Sequence, residues 1–314
     1  MMVHGVEVPL ESYRLAQCAT PIQCYVCEGD NGQNAEYCRH CHAPMALAHQ
    51  SRAAKVRPQS VAVLGGSSVG KTVYLGMLMD MLSRQTSNTN LQALARGAFS
   101  ISLQQATTSA LANGWFPDKT PNEPDRWNWV HCQVTSKLAR NPLELIVPDM
   151  AGEAIVEEID HPNTFPVIRS LLGKCSGVII LVDAIRLQSG DHGQDFSTMK
   201  ILSFLREIEC ARSRRNLRRA TMPLAIVFTK ADQCEACFDD PDAFAEMHAS
   251  GMLRHLQERF STFRLFASGV AGACAFRESI GDGRRRIPLR IEPRGIIEPL
   301  EWMLTHLAPR AKRA

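Results

Sequence analysis

Three short stretches of this chain carry residue types at spacings that suit chemistry on a polyphosphate. The first, Gly65-Gly66-Ser67-Ser68-Val69-Gly70-Lys71-Thr72, satisfies GxxxxGK[ST] at every fixed position. An apolar run, Val61 to Leu64, precedes it, and a helix-like run, Val73 to Met79, follows. Strand, glycine loop and helix is the context that turns this pattern into a phosphate loop. Glycines at 65 and 70 let the backbone wrap closely, so that the N–H groups of Ser67, Ser68, Val69 and Gly70 point inward at an anion. The positive end of the next helix adds its field. Lys71 is then the catalytic cation on the outer phosphates, and Thr72 gives its hydroxyl to Mg2+.

The second stretch is Asp149-Met150-Ala151-Gly152, at the end of the strand-like run Leu143 to Val147. An acid at the carboxyl end of a strand beside a phosphate loop holds the Mg2+ shell. Gly152 can offer its N–H to a terminal phosphate. The third is Thr229-Lys230-Ala231-Asp232, after the apolar run Ala225 to Phe228. A carboxylate at 232 accepts from the N1–H and exocyclic amine of guanine, and is left unpaired by adenine. Lys230 would lay its aliphatic stem over the ring. Ser268, in Phe266-Ala267-Ser268-Gly269, sits in a strand-end loop of the kind that touches the guanine oxygen. In this order the four motifs resemble those of a Ras-like GTPase, which implies GTP and GDP as ligands.

Two positions depart from that pattern or are left open by it. The first-switch threonine, a Mg2+ and catalytic ligand, has three candidates in Thr107, Thr108 and Thr120. The loop-like Gly114 to Pro121 favours Thr120. After DxxG stands Glu153, where glutamine commonly orients the attacking water. A carboxylate beside phosphate oxygens is repelled unless protonated or paired. Glu153 is therefore either a base or a sign that hydrolysis waits for a partner. With serines at 67 and 68 in place of glycines, slow intrinsic turnover is expected.

These residues need a scaffold. Strands are expected near 60–65, 127–135, 143–149, 177–183, 223–229 and 263–267, and helices over 71–84, 91–113, 164–174, 194–220, 240–258 and 295–307. Such alternation builds an α/β fold, a mostly parallel sheet with helices on both faces and ligands at the carboxyl ends of its strands. The alternating run Trp127 to Val134, a few residues before the next strand, resembles the antiparallel edge hairpin of Ras-like proteins.

A separate pattern lies upstream. Cys24 and Cys27, ten intervening residues, then Cys38 and Cys41 give CxxC-x10-CxxC. Two such knuckles supply the four thiolates of a closed, structural Zn2+ site. The intervening Glu28 to Asn34 reads as a turn-rich tip. The stretch resembles a zinc ribbon over Pro21 to Pro44. His40, His42 and Cys18 are bystanders, and a protein contact suits this module better than nucleic acid.

Composition narrows the rest. Of 314 residues 45% are hydrophobic, and 35 Lys plus Arg face 32 Asp plus Glu, a formal charge of +3. Near-neutrality argues against a nucleic-acid or membrane partner chosen by bulk charge. No apolar run reaches spanning length. Eleven cysteines, several alone in apolar segments, suit a reducing, cytoplasmic compartment. The lone pair Cys234 and Cys237 reads as ordinary thiols, and the arginines at 212, 214, 215, 218 and 219 as a solvated helix end.

The whole layout resembles the bacterial double-GTPases of the second type. The features that carry the likeness are GGxxxGKT at 65–72, an extended helical insertion over about 86–112, D-x-x-G-E at 149–153 and Gly295-Ile296-Ile297-Glu298-Pro299-Leu300-Glu301-Trp302. That resemblance implies a GTP-dependent switch in a multi-gene system of conflict or defence, signalling to protein effectors and to a second GTPase. The expected organisation is an arm at 1–20, the ribbon at 21–45, a linker at 46–59 and the GTPase domain at 60–310. The alternatives are a GTP-binding scaffold with little hydrolysis, or a zinc-ribbon nucleic-acid protein regulated by GTP.

Overall fold

The computed structural model describes residues 2, 3, 6, 7, 21–46, 48, 49, 52, 60–84, 91–117, 128–136, 143–149, 152–213, 218–279 and 283–307. The chain divides into two units, Met1–Pro58 and Gln59–Ala314.

In the first unit Ile22–Gln23 pairs antiparallel with Asp30–Asn31, so the segment expected as a bare tip contains a strand. The two cysteine knuckles repeat one backbone design. The N–H of Glu28 returns to the Cys24 carbonyl at 3.0 Å, and that of His42 to the Cys38 carbonyl at 2.9 Å. Glu28 and His42, each four residues after the first cysteine of its pair, adopt φ of 63° and 56°. Such left-handed turns hold the paired sulfurs on one side.

The second unit is built on a seven-stranded sheet. In chain order its elements are β1 (Ser60–Gly65), α1 (Lys71–Arg84), β2 (Leu91–Ala95), α2 (Ala98–Ala112), β3 (Asn128–Ser136), β4 (Leu143–Asp149), α3 (Gly152–Asp160), α4 (Pro166–Lys174) and β5 (Gly177–Asp183). There follow α5 (Ala184–Gln188), α6 (His192–Ser213), β6 (Leu224–Thr229), α7 (Glu235–Asp239), α8 (Pro241–His248), α9 (Ser250–Arg259), β7 (Phe263–Ala267), β8 (Gly269–Ser279), β9 (Gly283–Arg294) and α10 (Glu298–Leu307). The sheet order is β7-β6-β5-β1-β4-β3-β2. The five strands from β7 to β4 are parallel, while β3 runs against β4 and β2 against β3.

Continuous apolar runs explain the centre. Every residue of β1, β5 and β6 is buried, as strands covered on both faces require. Val61, Val63, Ile179, Leu181, Ala225 and Val227 share a cluster with Leu75 and Leu78 of α1, Leu103 of α2 and Leu300 and Met303 of α10. On β6 the neighbouring Phe228 meets Phe244 of α8, ring centroids 5.2 Å apart. Among the described residues no helix is long and apolar enough to cross a membrane.

Four expectations are corrected. The helix read over 91–113 is a strand followed by a helix. Leu91-Gln92-Ala93-Leu94-Ala95 has helical composition, but it pairs with β3, whose open edge supplies hydrogen bonds that propensity cannot outweigh. As a result β3 is antiparallel but internal, and β2 is the edge. The helix read over 240–258 is broken at Ala249, whose φ is −142°. The helix read over 194–220 is described over His192–Ser213, residues 214–217 lie outside the described residues, and 218–220 are not helical. Beyond these, the long β8–β9 ribbon and α3 had no counterpart in the sequence reading.

Candidate nucleotide site and metal centre

The carboxyl ends of β1, β6 and β7 open on a cavity of about 630 Å3. One wall is the loop after β1, with Gly66, Ser67, Ser68, Val69, Gly70, Lys71 and Thr72 all on its surface. The loop is shaped by φ of 62° at Ser68 and 88° at Gly70. Gly65 lies behind that wall and not on it, ending β1 where an added Cβ would stand 2.7 Å from Val69 and 3.0 Å from the Leu181 carbonyl. Lys71 is buried at the first turn of α1.

Gly152 and Glu153 line the same cavity. An added Cβ at 152 would stand 2.1 Å from the carbonyl carbon of Gly66 and 2.5 Å from the Ser67 nitrogen. No side chain fits between α3 and the phosphate loop, so the glycine is demanded by contact. Asp149 closes β4 opposite Asn128. Its side chain and the whole of Thr120 lie outside the described residues. Thr107 is buried in α2, its Oγ1 and Cβ against Gly76 of α1, and Thr108 donates to the Gln104 carbonyl at 2.9 Å within the same helix.

The far end of the cavity carries Thr229, Lys230, Asp232 and Ser268. Two contacts tie this end to the phosphate loop, and two more tie it to the end of β5. The Thr229 hydroxyl donates to the Val69 carbonyl at 2.7 Å and is within 3.1 Å of the Val182 carbonyl. The Lys230 ammonium donates to the Ser68 carbonyl at 2.7 Å and to Asp183 Oδ2 at 2.5 Å. Lys230 is itself left-handed, φ 58°, which turns the chain from β6 into the Ala231–Gln233 turn. Ser268 closes the loop by donating its N–H to Phe228 and accepting from the Ala231 N–H. Burial pushes the Asp232 carboxyl above its ordinary range, against a smaller opposing pull from nearby donors and Arg286.

Asp183 is the residue the motifs concealed. It is 2% exposed, caps α5 through the N–H groups of Ile185 and Arg186, and pairs Lys230. A buried charge of this kind is tolerated only when paired and hydrogen-bonded. Its one sequence signal is an acid ending an otherwise apolar strand. Phe116 and Gln233 also line the cavity and have no site role in the sequence reading; Arg286, in a run that reads from the sequence as a solvated stretch of a Gly-rich loop, lines it from β9 instead.

With the site described, the family follows. A family model, Double-GTPase 2, matches residues 59–280. The chain belongs to the Double-GTPase 2 family. The Double-GTPase 2 domain therefore accounts for the nucleotide motifs as those of a GTP-binding fold. No curated protein matches the chain. Among solved structures, the S. cerevisiae Ski7 GTPase-like domain bound to GDP and inorganic phosphate is 17% identical, over 68% of this chain and 43% of that one, at a TM-score of 0.37. The same domain bound to GTP is 16% identical over 81% and 51%, at 0.39. The signal recognition particle receptor SRb-GTP/SRX complex of Chaetomium thermophilum is 14% identical over 80% and 98%, also at 0.39. This chain spans about half the length of the two Ski7 chains.

The first unit holds the other centre. The sulfurs of Cys24, Cys27, Cys38 and Cys41 all lie within 4.8 Å of one another, with 3.6 Å between Cys24 and Cys41 and 3.5 Å between Cys27 and Cys38. A tetrahedral Zn2+ with bonds of about 2.3 Å implies sulfur separations near 3.8 Å. The donors around them also fit thiolates. Cys24 accepts from the Val26 N–H at 3.3 Å, and Cys38 from the His40 N–H and the Asn31 amide, both at 3.4 Å. Its hydrogen bond to Cys41 draws the Cys24 pKa down to about 5, and the Cys41 thiol is pushed up in return. Four cysteine sulfurs this close are a donor set that could hold a metal ion such as zinc.

Proposed function

We propose that this protein is a guanine-nucleotide switch that hydrolyses GTP slowly and passes its state to protein partners. The observation that carries the reading is the contact of Gly152 with Gly66, which leaves no room for a side chain between the second switch and the phosphate loop. A terminal phosphate arriving there would bear on both elements at once. Loss of that phosphate would release α3, and this motion is the signal.

In this reading the N–H groups of residues 66–70 and the Lys71 ammonium hold the phosphates. Asp232 and the Ser268 loop hold the base, and Lys230, anchored at its ammonium, presents its stem to the ring. Thr72 and Asp149, both hard oxygen donors, would hold Mg2+, with Thr120 joining from the first switch. When bound, Mg2+ neutralises charge on the outer phosphates. Glu153, in the first turn of α3, faces the reacting end of the cavity and is the residue nearest in role to a water-positioning group. Its negative charge disfavours a neighbouring phosphate, which supports slow turnover.

Quantifying the nucleotide that copurifies, then single-turnover hydrolysis with Mg2+, tests this directly. Guanine nucleotide on the wild type, lost in Asp232→Asn, is expected, and a bound adenine nucleotide would overturn it. A scaffold that binds GTP without hydrolysing it is the second reading, favoured by Glu153 itself. The zinc ribbon, with all four ligands internal, suits protein recruitment. The context of a bacterial conflict system and a partner GTPase rests on the family resemblance alone.

A further inference from the structure

The β8–β9 ribbon begins one residue after Ser268 and ends one residue before Gly295, so both its ends are set in the base-recognition loop. At its start Gly269 lies directly against Asp232, where an added Cβ would come within 2.6 Å of Oδ1 and 2.9 Å of the backbone nitrogen. At its end Arg294 lies over the Phe238 ring at 4.1 Å and donates to Glu235 at 3.1 Å. Further out, Arg277 lies over Trp115, next to Phe116 of the cavity wall, at 5.4 Å. The ribbon thus runs from the base loop to the segment that leads into the first switch.

One face of this ribbon turns toward the cavity. Cross-strand partners share a face, and the register pairs Cys274 with Pro288 and Phe276 with Arg286. Cys274 sulfur is 3.8 Å from the Gln233 amide, beside Asp232. Arg286, on that same face, lines the cavity together with Asp232, Gln233 and Ser268. Its guanidinium lies over the Phe276 ring at 5.6 Å. Its Nε is buried and has no hydrogen-bond partner among the described residues. A buried, charged donor left unmet is costly, and here it stands beside the carboxylate that selects the base.

Guanine offers two kinds of edge. Asp232 suits the donors, N1–H and the exocyclic amine. The acceptors, O6 and N7, need N–H groups, and the guanidinium fork is the side chain whose geometry matches that pair. Thr229 cannot serve them, because its buried hydroxyl is taken up by the Val69 and Val182 carbonyls. We infer that Arg286, carried over the cavity by the ribbon and backed by Phe276, is a specificity-determining ligand of the guanine base, donating to its O6 and N7 edge. This inference rests on the cavity being a guanine-nucleotide site.

The test measures affinities by calorimetry with Mg2+ present for GTP, GDP, 7-deaza-GTP (which lacks the N7 acceptor) and ITP (which lacks the amine facing Asp232). Wild type, Arg286→Ala and Arg286→Lys are compared, with melting temperatures to establish that each variant is folded. Arg286→Ala is expected to weaken GTP and GDP alike, by about tenfold to a hundredfold, the range of a lost bidentate contact to a base. Wild type should prefer GTP to 7-deaza-GTP, and Arg286→Ala should lose that preference while still discriminating against ITP. Arg286→Lys keeps the charge but not the fork, so it should recover part of the affinity and none of the N7 preference. Equal loss of GTP and 7-deaza-GTP, or no loss at all, would overturn the assignment and leave Arg286 as a packing residue of the ribbon. A wild type that binds no guanine nucleotide would instead remove the guanine reading itself.

Discussion

The two units solve the same problem, holding a charged ligand in fixed geometry, by opposite means. In the ribbon four sulfurs from a stretch of 18 residues converge with only a handful of buried apolar residues around them, Val26, Ala43 and Met45 among these. A segment this small cannot offset its chain entropy by burial, so a metal held by the four sulfurs would supply the folding energy. The nucleotide unit rests on a seven-stranded sheet whose central strands are buried beneath helices, and presents loops at the strand ends. Its site is assembled from residues far apart in sequence, as in the 2.7 Å bond from Thr229 to Val69. The lesson is that ligand and fold are one event in the first unit and two separable events in the second.

The sharpest way to break that contrast is to remove the metal. Chelation should unfold residues 21–46 outright, since structural zinc contributes on the order of 10 kcal/mol or more to such modules. GTP affinity of the full chain should stay within about twofold, well inside the 1.4 kcal/mol that a tenfold change represents. Loss of the backbone amide signals of 21–46 with retained nucleotide binding is the expected pair of results; retained ribbon structure after complete zinc removal would erase the distinction.

The reverse experiment is Lys71→Ala. It should lower GTP affinity by roughly a hundredfold or more, as loss of a charge-assisted phosphate contact does, while zinc content measured by absorption stays at one ion per chain.

Asp232→Asn should cost about tenfold to a hundredfold in GTP affinity, the range for hydrogen bonds to a charged group. The carboxylate must be ionised to accept from guanine, and burial raises its pKa. Wild-type affinity should therefore fall as pH drops through a point above the usual carboxylate range, and the fall should vanish in the variant. A pH-independent wild type would argue that Asp232 does not face the base.

Gly152→Ala forces α3 off the phosphate loop, and overpacking of this kind costs about 1–3 kcal/mol. A lower melting temperature with a changed ratio of GTP to GDP affinity is expected; an unchanged ratio would mean that the contact is structural only. The smallest effect is that of Glu153→Gln. Removing the charge beside the phosphates should raise the single-turnover rate by roughly tenfold, about 1.4 kcal/mol of barrier, and a fall in rate would make Glu153 a base.

What could be read in advance divides along physical lines. β1, β4, β5, β6 and β7 fell where their apolar runs lie; for β1, β5 and β6 the reason is that a strand buried on both faces announces itself by composition. The ribbon β8–β9 did not. Gly269 to Ser279 is rich in glycine and alanine, and Gly283 to Arg294 in arginine, so neither strand carries a β signal of its own and each exists only through the other. β2 was misread for a related reason, since Leu91 to Ala95 favours helix until the edge of β3 is offered to it. At the site, the phosphate-loop residues were legible because one contiguous segment supplies them. Asp183, Phe116 and Arg286 were not, because each reaches the cavity from an element that no local pattern links to it.

By itself, then, the sequence determined the chemistry of the two centres. Four thiols at CxxC spacing and a glycine loop ending in Lys71-Thr72 are local designs whose ligand geometry follows from backbone turns over a few residues. Only the tertiary structure decided what surrounds them. It set Gly152 against Gly66, locked Lys230 between Ser68 and Asp183, and brought the Arg286 ribbon over the base end. Those contacts span tens to hundreds of residues, and their partners are chosen by packing of the whole sheet, which no spacing along the chain encodes.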